Sequence, residues 1–459
     1  MSEFSLDKIS ANAHIHFIGI GGISMSGLAQ IMLKNGYRVT GSDRGSSSIT
    51  DNLERLGAKI FIGHSEENIC GASLIVHTAA VHEDNPEIIA ARKNNIPLLT
   101  RAEFLGAIMK TYGHAAGIAG THGKTTTTSM LAHALISAGL DPTVSVGGVL
   151  DIIGGNIRTG DSDYFVTEAC EYTNSFLSFF PTIAVITNID EDHLDFFSGI
   201  DEIIESFKKY AELTRGKGVV IAYGEDENIK KAFSDSTLDI LYYGIGDGFD
   251  CCAKNLVYKA GFPQFDVYLK DNYVCTLNLK VPGKHNVLNA LAVVLVCHTW
   301  GADVALVKKG IEEFHGAHRR FEKKGEVSGA VIIDDYAHHP TEIRATLTSA
   351  AELDHNKIWC VFQPHTYSRT RTLWKEFSES FDNVDELIIT DIYAARELPD
   401  GVTTSEKLAE DIKKRGVNVR YIKDFDAISD ILKNELSKGD IAFTMGAGNV
   451  VDIADKLCK

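Results

Sequence analysis

The stretch Gly120-Thr-His-Gly-Lys-Thr-Thr-Thr constrains this chain more than any other. It separates a short apolar run, Ala115 to Ala119, from a helical stretch predicted over Thr125 to Gly139. That is the strand–loop–helix setting of a phosphate-binding turn. Backbone N–H groups in such a turn, together with the open helix N-terminus, attract phosphate. Lys124 is spaced to reach the β- and γ-phosphates of a nucleotide, and the Thr125 hydroxyl to bind Mg²⁺. Gly120, Thr121, His122, Gly123, Lys124, Thr125 and Thr126 are therefore the candidate ATP-binding residues. The strict pattern asks for a further glycine at position 118, where Ile118 stands. A turn that merely opens an ordinary helix is the plainer alternative.

Two other stretches begin the same way. His14-Ile-His-Phe-Ile runs into Gly19-Ile-Gly-Gly-Ile-Ser-Met-Ser-Gly27 and then a helix, and a strand follows at Tyr37 to Gly41. Gly329-Ala-Val-Ile-Ile-Asp-Asp opens a third alternation of strands and helices, which continues through Ile358–Gln363 and Asp440–Met445. Between about 250 and 282 the pattern changes to short alternating segments, read as antiparallel hairpins. The expected fold class is α/β in three domains. They are an N-terminal Rossmann-like domain (1–108), a central P-loop-type ATPase domain with an extra antiparallel segment (109–317) and a C-terminal Rossmann-like domain (318–459). A length of 459 residues suits three domains.

Charge narrows the partners. With 45 basic and 62 acidic residues the net charge is −17, which argues against a nucleic acid held by phosphate neutralisation. No run is apolar for long enough to span a membrane, and the N-terminal residues lack the pattern of a signal peptide. The eight cysteines have no metal-ligand spacing and read as reduced thiols. A cytoplasmic protein is expected.

Chemistry is expected where strands end, because ligands of open α/β sheets bind at strand C-termini. Glu168-Ala-Cys-Glu171 and Asn188-Ile-Asp-Glu-Asp-His-Leu-Asp195 both follow apolar runs. Glu168 and His193, with Thr125, are the candidate ligands for Mg²⁺. Asp190, Glu191, Asp192 and Asp195 read equally well as solvated loop. The loop of Gly19, Gly21, Gly22, Ser24 and Ser26, with Asp43 at the end of the next strand, suits a diphosphate on a helix N-terminus with an acid near a ribose. A UDP-sugar satisfies it as well as NAD does, since the dinucleotide glycine spacing is broken at Ser24. Asn286 and Asn289 share one face of a helix start. His338, His339 and His365 beside Arg369 form a basic cluster suited to a carboxylate.

Taken in order, these segments resemble the Mur ligases. The resemblance rests on Met25-Ser-Gly, Gly120-Thr-His-Gly-Lys-Thr-Thr, Asn188-Ile-Asp-Glu-Asp-His-Leu-Asp, His285-Asn-Val-Leu-Asn, Arg319-Arg-Phe, Asp334-Asp-Tyr-Ala-His-His-Pro-Thr-Glu and Phe362-Gln-Pro-His-Thr-Tyr-Ser-Arg-Thr. It implies ATP-dependent joining of L-alanine to the lactyl carboxylate of UDP-N-acetylmuramate through an acyl phosphate, in peptidoglycan precursor synthesis. It further implies two Mg²⁺ ions, contacts of Asn286 and Asn289 with ATP, and Arg320 and Asp335 as catalytic groups beside Lys124, Glu168 and His193. His338, His339 and Arg369 would receive the alanine. The partners are then small molecules, with the chain a monomer or weak homodimer. Competing readings are a recycling ligase that attaches an intact peptide to UDP-N-acetylmuramate and, from another class, an NAD-dependent oxidoreductase. The second explains residues 17–43 and nothing after them.

Overall fold

A computed structural model describes residues 4–459 apart from Asp7, Lys8, Ala11, Asp195, Lys217 and Arg396. Asp195, one of the acids considered above, thus lies outside the described residues. The chain divides into two compact units. One holds residues 1–190, 201–242 and 295–303, and the other 191–200, 243–294 and 304–459.

The first unit opens with a five-stranded sheet of β1 (His14–Ile18), β2 (Arg38–Asp43), β3 (Lys59–Ile62), β4 (Leu74–His77) and β5 (Leu98–Thr100). Its order is β3-β2-β1-β4-β5 and every pairing is parallel. All of β1 is buried, as a central parallel strand covered on both faces must be. The chain winds outward in opposite directions from β1, so the switch point, where a ligand crevice forms, lies beside its C-terminal end.

A second sheet begins with β6 (His114–Ala119), β7 (Thr143–Leu150), β8 (Gly155–Arg158), β9 (Tyr164–Glu168), β10 (Ile183–Ile186) and β11 (Val219–Tyr223). These run in the order β11-β10-β6-β9-β7-β8, parallel except for the β7–β8 hairpin. The sequence reading passed over that hairpin, because Gly147-Gly148 interrupts the alternation that marks a strand. Ile118 lies wholly buried within β6. The glycine missing from the strict phosphate-loop pattern is missing because the strand continues through that position.

In the second unit, the end of β12 (Ile240–Ile245) pairs parallel with β13 (Cys251–Lys259) from Tyr243 to Ile245. β14 (Phe262–Leu269) and β15 (Asn272–Asn278) follow as an antiparallel meander. The last sheet comprises β16 (Glu322–Val327), β17 (Ala330–Asp335), β18 (Ile358–Phe362), β19 (Glu386–Ile389), β20 (Val419–Tyr421) and β21 (Ile441–Met445). Its order is β16-β17-β21-β18-β19-β20, with only β16 antiparallel. Along β18, Ile358, Cys360 and Phe362 enter one core while Trp359 and Val361 enter the other, the period-two division of a strand buried on both faces. β16, Glu-Lys-Lys-Gly-Glu-Val, escaped the sequence reading because an edge strand needs no apolar alternation.

Close approach fixes one position beneath the phosphate loop. The Tyr210 hydroxyl donates to the Gly117 carbonyl at 2.9 Å, and its ring stacks on Phe176 with centroids 4.7 Å apart. A Cβ on Gly117 would stand 2.2 Å from that hydroxyl oxygen. Gly117→Ala should therefore destabilise the chain by about 2 kcal/mol, in the range of overpacked cores. Tyr210→Phe in the same chain should recover part of the loss, as read from urea midpoints. A double variant no more stable than Gly117→Ala would contradict this account.

Candidate active site

The two glycine loops share one construction. In the first, loop-internal bonds consume the glycine N–H groups. Those of Gly19 and Ile20 go to the Ser42 carbonyl and that of Gly22 to the Gly19 carbonyl, while Gly21 N–H donates to Asp43 Oδ2 at 2.8 Å. The helix Ile23–Lys34 that follows has no side-chain cap, and the first helical N–H to find a carbonyl is that of Ser26. The N–H groups of Ile23, Ser24 and Met25 are left to point out of the helix N-terminus. Beside the glycine loop lies a cavity of about 710 Å³ lined by Gly19, Gly21, Gly22, Asp43 and His64, among others.

Asp43 lines this cavity as expected, although both of its oxygens already accept backbone N–H groups, from Gly21 and Arg44. Ser24 accepts from Arg101. Ser26 is buried and donates back to the Ile23 carbonyl, a bond that a ligand would have to break. His64 is held from behind by buried Glu87, whose carboxylate also accepts from Ser42 and Asn68. Burial would raise the Glu87 pKa. The hydrogen bonds from His16, Ser42, Asn68 and His64 outweigh it and bring it down to about 2.

The second loop turns at Gly120 and Gly123, with φ of 139° and 84°, backbone that side chains other than glycine adopt at a cost. Asn188 and Asp190 hold it. Asn188 Oδ1 accepts from His122 N–H at 2.9 Å and its amide donates to the His122 carbonyl, and the Asp190 N–H donates to Thr121 Oγ1 at 2.8 Å. The helix Lys124–Ser137 again starts without a side-chain cap. Lys124 Nζ donates to the Gly120 and Thr121 carbonyls and lies 3.0 Å from both oxygens of Glu171. Burial works against the ammonium charge, but Glu171 more than compensates and lifts the Lys124 pKa. Nothing local in the sequence marks Glu171 as the partner of this lysine. Its one signal is its position three residues beyond Glu168 at a strand end.

Glu168 lies against Gly147 of β7 and Thr125 against the neighbouring Gly148. Glu168 Oε1 accepts from Gly147 N–H at 2.5 Å. A Cβ on Gly147 would stand 3.0 Å from Glu168 Oε2, and one on Gly148 would stand 3.3 Å from the Thr125 methyl. A hydroxyl and a carboxylate gathered beside a phosphate loop are hard oxygen donors, so these residues fit Mg²⁺.

In the second unit, the Asp335 carboxylate accepts from Phe321 and Ala337 N–H at 2.9 and 2.7 Å. Burial raises its pKa to about 6 against the pull of Arg320. Arg320 itself lies 3.8 Å from Glu342. Asn286 and Asn289 bond to each other at 3.1 Å, as their spacing predicts. Arg369 donates to Asp192 at 3.1 Å and touches His365. His339 caps the helix Pro340–Ala351 and bonds the Glu191 carbonyl at 3.0 Å. His193 adopts a left-handed φ of 53°, and its N–H donates to Asp192. Burial holds the His338 pKa down to about 4, with Glu342 pulling the other way. The positive charge expected of a basic histidine cluster therefore does not come from His338 at neutral pH. Arg369 supplies it.

Parallel sheets with two uncapped helix starts, one opening on a cleft and one carrying a lysine and hard oxygen donors, define a nucleotide-binding enzyme of the α/β class. The chain belongs to the Mur ligase family: models described as the family's catalytic domain, middle domain and glutamate ligase domain match residues 14–113, 118–297 and 319–448. It is 51% identical to a UDP-N-acetylmuramate–L-alanine ligase of Clostridium acetobutylicum, over 98% of each chain. A solved UDP-N-acetylmuramate–alanine ligase from Thermotoga maritima is 30% identical, with a TM-score of 0.78 over 97% of this chain and 98% of that one. A murein peptide ligase from Psychrobacter arcticus is 25% identical, with a TM-score of 0.68 over the same shares. Among the described residues no helix is long and apolar enough to cross a membrane.

Two outcomes follow from these contacts. Glu171→Gln leaves Lys124 without its counter-charge, and should lower stability by about 3 kcal/mol, the usual cost of breaking a buried pair. Thermal and urea melts of the ligand-free protein check it, and an unchanged midpoint would show that the pair contributes nothing. His338 stays neutral in the fold while the unfolded chain takes up a proton below about pH 6.5. Stability should therefore fall by about 2.5 kcal/mol as pH drops from 6.5 to 4. Comparing urea midpoints of wild type and His338→Gln across that window isolates this contribution.

Proposed function

We propose that this chain joins L-alanine to the lactyl carboxylate of UDP-N-acetylmuramate at the expense of ATP, in the synthesis of peptidoglycan precursor. Residues 1–108 would take the UDP-sugar, 109–317 the ATP, and 318–459 the amino acid. The observation that carries the reading is the presence in one chain of a cleft over an uncapped helix start and a separate lysine-bearing phosphate loop. Relatives that match it from end to end are named for this reaction.

The N–H groups of Ile23, Ser24 and Met25 would receive the diphosphate, with Asp43 and the glycines forming the wall. At the second loop, the N–H groups of Lys124, Thr125 and Thr126 would receive the ATP phosphates, and Lys124 would pass from Glu171 to the transferring phosphoryl group. Thr125 and Glu168 would hold magnesium, joined by His193 for a second ion; bound there, the metal spreads negative charge on the phosphoryl oxygens. A lactyl carboxylate oxygen attacks the γ-phosphorus, and the bond to ADP breaks. The alanine amine then attacks the acyl carbon and gives up a proton as phosphate departs, leaving an amide. Asn286, Asn289, Arg320 and Asp335 would complete the nucleotide site. His338, His339 and Arg369 would hold the alanine carboxylate, with the guanidinium providing the charge.

Phosphate release from ATP, measured with UDP-N-acetylmuramate, Mg²⁺ and L-alanine, tests this directly. Release should require both acceptor substrates, and Lys124→Ala should lower it at least about a thousandfold, given what a phosphoryl-stabilising cation contributes. Release with an intact tripeptide and none with L-alanine would move the chain to the recycling reaction.

A further inference from the structure

Arg101 has a charge that the fold does not account for. It is the first residue of helix Arg101–Met109, directly after the Thr100–Glu103 capping box at the end of β5. It is half-buried, and burial draws its pKa below the ordinary arginine value. The guanidinium makes a single hydrogen bond, from Nη1 to Ser24 Oγ at 3.1 Å. Among the described residues no carboxylate pairs with it.

The other partly buried arginines are treated differently. Arg319 is 2.9 Å from Asp334 and Arg369 is 3.1 Å from Asp192, while Arg215 gives its donors to the Phe180, Met109 and Tyr112 carbonyls. A guanidinium has five donors in a planar fork. At Arg101 the Nε and Nη2 donors have no protein partner among the described residues and are not sealed from solvent, so they are open to an arriving anion.

Its surroundings say which anion. On one side stands Ser24, in the first turn of the helix after the first glycine loop. On the other is Cys170, which opposes the effect of burial on the Arg101 charge and directly precedes Glu171, the partner of Lys124. Arg101 thus has the first helix start on one side and the strand end that carries the partner of Lys124 on the other. The free N–H groups of Ile23, Ser24 and Met25 already serve a diphosphate. What must lie farther along, between those groups and Lys124, is the carboxylate that accepts the phosphoryl group. Resting on the function proposed above, we propose that Arg101 binds the lactyl carboxylate of the UDP-sugar through its free donors and presents one of its oxygens toward Lys124.

The test compares two ligands that share nucleotide, diphosphate and sugar. UDP-N-acetylglucosamine lacks the lactyl ether of UDP-N-acetylmuramate. Calorimetric titration of both into wild type, Arg101→Gln and Arg101→Lys separates the carboxylate from the rest. Arg101→Gln should weaken UDP-N-acetylmuramate about 10- to 100-fold, as loss of a charge-assisted bidentate contact does. It should leave UDP-N-acetylglucosamine within about twofold, a result that also reports an intact cleft. Arg101→Lys keeps the charge without the fork and should fall between. It also serves as the informative variant if the glutamine protein does not fold. Equal weakening of both ligands would assign Arg101 to the diphosphate or to the fold, and no weakening of either would remove it from the site. Both results overturn the proposal while wild type still turns over with L-alanine. Wild type that does not distinguish the two sugars and releases no phosphate would overturn the parent reading and this one together.

Discussion

Helix N-termini that the protein leaves uncapped are the constraint on which the rest of the site depends. Each α-helix begins with N–H groups that have no intrahelical acceptor, and this chain usually satisfies one of them with a side chain. Ser47, Asn85, Thr100, Asp226, Thr404 and Asp424 all do so. The short helices that start at Tyr367, Trp374 and Val451 lack such a cap, and so do the two longer ones after Gly22 and Gly123. These two longer helices follow a buried parallel strand near the middle of its sheet, where strand ends meet at a crevice. Their free N–H groups and partial positive charge suit phosphate, and the glycines before them keep side chains out of the way.

Charge follows the same logic in an acidic chain. With a net charge of −17, no general positive field draws anions in, so each cation must be local and held. Lys124 is held by Glu171 and by two loop carbonyls, and Arg369 by Asp192. In each pair the acid neutralises the cation before a ligand arrives; the Arg369 fork keeps donors to offer, whereas the three donors of Lys124 are all taken and must be exchanged for a ligand. Arg101, bonded to Ser24, has no such acid.

Much of this was legible in the sequence, because strand–glycine–helix transitions and runs ending in acids or histidines are local patterns. Gly120 to Thr126 and Gly19 to Gly22 fall where that pattern puts them. The reading failed where a role depends on a partner far along the chain. Nothing near Arg101 marks it as unpaired, since it occupies an ordinary first helical position after a cap. Glu171 looks like any acid at a strand end until Lys124 is seen beside it. Asn188 and Asp190, considered with the metal-binding stretch, instead brace Thr121 and His122. His338 has the residue type of a basic pocket, but burial removes its charge, and burial cannot be read from a motif.

The β7–β8 hairpin shows what such distant partners do to the site. Its Gly147-Gly148 step was an interruption in sequence terms, yet those glycines let the backbone lie against Glu168 and Thr125. Its second strand supplies Ile157, which packs so closely on the helix after the first glycine loop that a Cβ on Gly27 would stand 2.4 Å from its Cδ1. Just beyond that strand, Lys34 of the same helix donates to the Thr159 carbonyl and pairs with Asp161 at 2.6 Å. One hairpin thus touches the helix that opens on the cleft and the oxygen donors beside the phosphate loop. At each of these contacts a glycine lets a side chain lie against backbone: Ile157 on Gly27, Glu168 on Gly147 and Thr125 on Gly148.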